Sequence, residues 1–94
     1  MKEKITRSSG NVFADLGFPP EEAAILTMHA DLMAQLRLVV EKSNWTQVEA
    51  AKVLGISQSR VSDLMRGKWD KFSLDMLVTL ATRAGLHCEL KLAA

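Results

Sequence analysis

Apolar positions along the chain first repeat at helical spacing and only at the end alternate. From Pro20 to about Lys42 no interior Gly or Pro interrupts the sequence. At 100° per residue, Ile25, Leu26, Met28, Leu32, Met33, Leu36, Val39 and Val40 fall within an arc of roughly 160°. The pattern predicts a long amphipathic helix. Pro19-Pro20-Glu21-Glu22 starts it, because Pro loses no hydrogen bond in the first turn and the acids meet the positive end of the helix dipole. Ser43-Asn44 ends it. His29 lies inside the arc as a core or interface residue, whereas Leu38 falls on the polar side. The arc is wide for one small core. Either the preceding residues or a second subunit covers part of it.

Three shorter helices follow. Thr46-Gln47-Val48-Glu49 reads as a capping box opening a helix to about Leu54, and Gly55 supplies the left-handed residue that stops it. Ser57 caps the next, Gln58 to about Arg66, which Gly67 stops. Ser73 caps the last, with Leu74, Leu77, Val78 and Ala81 as its inner stripe. Gly85 ends it and places Leu86 for a contact back onto the helix.

The tail changes period. Leu86, Cys88, Leu90 and Leu92 alternate with His87, Glu89 and Lys91, which predicts a strand with one apolar face. A lone strand must pair, either with the N-terminal arm or with its counterpart in a second subunit. Residues 1–18 read as that arm. Lys2, Lys4 and Arg7 precede the turn-forming Ser8-Ser9-Gly10-Asn11, and a more apolar stretch through Phe18 packs onto the body. The domain plan is an arm over 1–18, a helical body over 19–86 and a C-terminal strand over 87–94.

Composition narrows the classes. Ninety-four residues hold one core. A single cysteine, Cys88, excludes an internal disulfide framework and a multi-cysteine zinc site. His87 and Cys88 are adjacent on a predicted strand and point apart, so they chelate poorly. The apolar runs are too short to span a bilayer and the N-terminus lacks a signal-peptide core, which points to a cytoplasmic protein. With no Tyr, two Trp and three Phe, few platforms exist for stacking single-stranded bases. Trp45 and Trp69 read as packing residues, and the Met residues as core filler. No acid, base and nucleophile set gathers in the sequence, and no cofactor or metal is expected. The net charge of +1 hides a polarity. Residues 1–41 sum to −2, residues 42–71 to +3 and residues 72–94 to zero.

The positive segment contains QVEAAKVLGISQSRVSDLMR, residues 47–66, which has the grammar of a helix-turn-helix. Ala51 is small where the helices cross, Gly55 takes the turn, and Ile56, Val61 and Leu64 fill the angle. Residues 44–72 resemble the DNA-binding core of the Cro/cI (XRE, lambda-repressor-like) family. The flanks NVFADLGF and FSLDMLVTLATRAGL, with the terminal strand, are similar to single-domain HigA-like antitoxins. The resemblance implies an all-α, lambda-repressor-like domain with a short dimerising strand. It also implies that Gln58, opening the recognition helix of about 58–66, reads an adenine edge while Gln47 braces it against the phosphate backbone. An amide suits adenine because it donates to N7 and accepts from N6 together. Ser59, Ser62 and Asp63 share the outward face as further base-contact candidates, although Asp63 also repels phosphate. Thr46, Arg60, Arg66, Lys68 and Lys71 are candidates for the phosphates, with Arg60 and Arg66 also able to reach a guanine.

The expected function is a non-enzymatic homodimeric repressor on a pseudo-palindromic operator in double-stranded DNA. The resemblance adds an antitoxin role against a small RelE/HigB-like toxin, offered the wide apolar arc and the arm. The alternatives are a plain phage-type or operon repressor, and an interaction module that has lost DNA binding. No membrane partner is expected.

Overall fold

The computed structural model describes residues 12–93. The arm's basic residues Lys2, Lys4 and Arg7, and its turn at 8–11, lie outside them. The elements in order are α1 (Val12–Asp15), α2 (Pro20–Lys42), α3 (Gln47–Leu54), α4 (Gln58–Met65), a 3-10 turn (Trp69–Lys71) and α5 (Leu74–Arg83). Every regular element among the described residues is helical.

Local chemistry sets the helix ends. Thr46 Oγ1 accepts from the Glu49 amide at 3.1 Å, and the Thr46 amide donates to Glu49 Oε1 at 2.9 Å, closing the capping box. Ser57 and Ser73 cap α4 and α5 by accepting from the Arg60 and Met76 amides, each at 3.2 Å. Gly55 stops α3 at φ +70°. After α5, the Leu86 amide donates back to the Ala81 carbonyl at 2.9 Å, and the Leu86 side chain packs on the core.

α2 is the spine of the domain. Its Met33 and Leu36 meet Leu54, Leu64, Phe72, Leu77, Leu80 and Ala81 in the main core. A second cluster of Val40, Ala50 and Val61 lies under the α3–α4 crossing, with Trp45, Ala51, Ile56 and Met65 around it. By length and mean hydropathy α2 reaches the range of a bilayer-spanning helix, contrary to the expectation from its apolar runs. It also carries Asp31 and Arg37 in its middle and buries Met33, Leu36 and Val40 in the core.

Under the helix crossing Ala50 is fully buried, and the half-buried Ala51 packs against the same cluster. On α5 the inner face is Leu77, Leu80 and Ala81, and Val78 turns to solvent. α5 packs against both α2 and α3, so its buried stripe is rotated from the one-sided stripe that the pattern suggests.

The predicted strand over 87–94 does not form within the described residues. Residues 86–93 are irregular, with Leu90 71% and Leu92 87% exposed. Alternation supplies an apolar face but no hydrogen-bonding partner, and no strand within the described residues offers one. The apolar end of the arm forms α1 instead, where Phe13 and Phe18 stack edge to face at 6.1 Å.

Candidate nucleic-acid interface

α3 and α4 are two eight-residue helices joined by Gly55-Ile56-Ser57. The core below fixes their mutual angle. Val61 and Leu64 are fully buried on the inner face of α4, which leaves Gln58 and Ser59 exposed on the other side and Ser62 and Asp63 half-buried. Gln47 and Gln58 each open their helix and are exposed. They make no hydrogen bond to each other in the free chain, so the bracing contact that the resemblance implies is not preformed.

Charge is arranged around α4. Asp63 lies between Arg60 and Arg66, with N···O distances of 3.8 Å and 3.7 Å. This arrangement offsets the repulsion that a bare carboxylate would offer a phosphate. The Arg60 guanidinium also donates to the Lys71 carbonyl at 3.5 Å, so it joins α4 to the following turn rather than extending freely. Arg66, Lys68 and Lys71, at and after the end of α4, are exposed. Thr46 commits its hydroxyl oxygen and its amide to the capping box, which leaves the amides of Gln47 and Val48 without an intrahelical partner at the positive end of α3. The arrangement combines exposed amide and hydroxyl groups on a short helix with cations and helix-end amides beside them. Such groups can hydrogen-bond base edges and phosphates together.

Two arginines outside the motif support it. Arg83, in the last turn of α5, donates to the Leu54 carbonyl at 2.9 Å and so closes the C-terminus of α3. Arg37 lies against the turn after α4, its guanidinium 3.5 Å from where a side chain on Gly67 would begin. His29 is buried, hydrogen-bonds the Phe72 carbonyl through Nε2 and stacks edge-on against Trp69 at 5.6 Å. It therefore ties α2 to the turn that carries Lys68 and Lys71. Arg83, Arg37 and His29 gave no sequence signal of these long-range contacts beyond their places on α5 and α2.

Among the described residues no cluster of His, Cys, Asp and Glu could hold a metal ion. A family model described as a helix-turn-helix domain matches residues 12–93. No curated protein shows a significant match to the sequence.

Proposed function

Because the chain belongs to the helix-turn-helix domain family, we propose that it is a non-enzymatic, sequence-specific transcriptional repressor that acts in the cytoplasm on double-stranded DNA. The observation that carries this reading is α4 itself. Val61 and Leu64 on its inner face are fully buried, Gln58 and Ser59 at its start are exposed, and Arg66, Lys68 and Lys71 are exposed at and after its C-terminal end. In the proposed complex α4 enters the major groove. Gln58 reads an adenine, and Ser59, Ser62 and Asp63 touch neighbouring base edges. Thr46, Gln47, Arg60, Arg66, Lys68 and Lys71 hold the phosphates and fix the register. Asp63 can accept from a cytosine amino group only while Arg60 and Arg66 screen it from the backbone. Two copies read two half-sites about one helical turn apart, and repression follows where the operator overlaps a promoter.

The Cro/cI-type assignment and an antitoxin role are the finer parts of this proposal. Apolar residues left open on α2 support a protein partner: Ile25 is 53% exposed, and Met28, one turn further on, is also exposed. A RelE/HigB-like toxin is the partner proposed for that patch. Co-purification with the product of an adjacent small reading frame tests this part. Its absence leaves a plain repressor.

Alanine substitution tests the DNA reading. Gln58→Ala is expected to relax discrimination at one base pair, whereas Arg66→Ala and Lys68→Ala weaken all sequences alike and flatten the salt dependence. Unchanged operator affinity in all three variants refutes the reading.

A further inference from the structure

The fold leaves a groove of about 500 Å³ along α2. Its floor is two adjacent rows of side chains: Glu22, Leu26, Ala30 and Ala34 form one, and His29, Met33 and Arg37 the other. Phe13 and Phe18 flank the end near Glu22, and Gly67 meets Arg37 at the opposite end. Ala30 and Ala34 are exposed, so the floor is open to a neighbour.

The residues of this floor are complementary to their own reverse order. Around the midpoint between His29 and Ala30, Glu22 stands opposite Arg37, and Leu26 opposite Met33. Acid opposes base, and apolar opposes apolar. An isologous interface requires this relation, because residue i of one copy meets residue j of the other and j meets i. The two charges lie about 22 Å apart along the helix and cannot reach each other within one chain. Neither Glu22 nor Arg37 has an ion-pair partner among the described residues, and Arg37 Nε is buried without an acceptor.

We propose that this groove is the interface between two copies of the chain. The α2 helices pack antiparallel across a two-fold axis passing between His29 and Ala30, at a shallow crossing angle near 20°. Glu22 of each copy then faces the partner's Arg37, and the alanines let the backbones approach. Arg37 also abuts Gly67, in the turn after α4, so the interface sets the position of the element that follows the recognition helix. A strip about 22 Å long and one helix wide is small for a permanent dimer, so the association is reversible and strengthens with concentration. The inference extends the repressor reading by supplying its second half-site reader. The association itself is measured without DNA, so its failure leaves the DNA-binding reading standing on a single half-site.

The test is sedimentation of the full chain carrying Cys88→Ser, over about 10 to 500 μM, a range that brackets weak association. The parent is expected to shift from monomer to dimer across it. Glu22→Arg and Arg37→Glu each place like charges at both ends of the interface and are expected to weaken association at least about 10-fold. Mixing these two variants restores opposite charges at both ends, and the mixture is expected to dimerise as the parent does. Ala30→Arg, on the exposed floor, is expected to abolish the dimer while the circular dichroism spectrum stays helical. Leu90→Glu with Leu92→Glu on the tail is expected to leave association unchanged. A parent that stays monomeric throughout, as it would if a small ligand or an unlike protein fills the groove, overturns the proposal. So does a mixture that fails to restore the dimer, an Ala30→Arg variant that dimerises like the parent, or a dimer lost on changing the tail.

Discussion

Gly55 joins the motif to the rest of the fold, and Gly55→Ala measures that junction. Its backbone sits at φ +70°, ψ 35°, in the left-handed region, where a Cβ crowds its own carbonyl. Alanine there is strained by about 1–2 kcal/mol. The smaller conformational freedom of unfolded alanine returns about 0.4–1 kcal/mol. The new Cβ would also stand 3.0 Å from Nη1 of Arg83, the atom that donates to the Leu54 carbonyl. A hydrogen bond from a charged donor contributes about 1.5–3 kcal/mol, of which only part is lost because the end of the arginine can move. The net expectation is a loss of about 1–3 kcal/mol, equivalent to a melting temperature lower by about 5–20 °C in a domain of this size. Urea denaturation followed by circular dichroism measures it. In an Arg83→Met background the crowding and the hydrogen bond are both gone, so Gly55→Ala should cost only the backbone share, about 1 kcal/mol. A Gly55→Ala variant as stable as the parent refutes the conformational reasoning. An equal cost in both backgrounds refutes the part assigned to Arg83.

Three further substitutions probe other links. Leu36→Ala, at a fully buried position under α5, should destabilise the domain by about 2–5 kcal/mol in thermal or urea unfolding; under 1 kcal/mol would mean that the site is not packed as described. Thr46→Ala removes half of the capping box and should cost about 0.5–2 kcal/mol, with faster hydrogen exchange at the Glu49 amide as its local signature. His29→Leu leaves the Phe72 carbonyl without its donor and should cost about 1–3 kcal/mol, together with a change in Trp69 fluorescence; unchanged stability would remove His29 as the tie between α2 and that turn.

Much of the fold was legible because its punctuation is local. Thr46, Ser57 and Ser73 cap helices through bonds spanning three residues, and Gly55, Gly67 and Gly85 end them with positive φ. Such contacts depend on neighbours in sequence and can be read from it. The contacts that escaped are long-range. Arg83 reaches Leu54 across 29 positions and His29 reaches Phe72 across 43, and no periodicity encodes either pairing. The tail shows a second kind of miss. Alternation describes which side chains share a face, but a strand exists only where another backbone pairs with it, and residues 86–93 have none among the described residues. For the interface, the outward face of α4 was legible from its cap and spacing. The pinning of Asp63 between Arg60 and Arg66 was a matter of rotamers and was not.

Selection of duplexes from a randomised DNA pool, followed by titration of the enriched sequence with parent and Gln58→Ala protein, tests the DNA-binding reading most directly. The expected result is enrichment of a pseudo-palindrome with half-sites about one turn apart, and a loss of about 1–3 kcal/mol in Gln58→Ala confined to one base pair of each half-site. A pool that yields no preferred sequence, or an enriched site bound equally well by Gln58→Ala at every base pair, would contradict it.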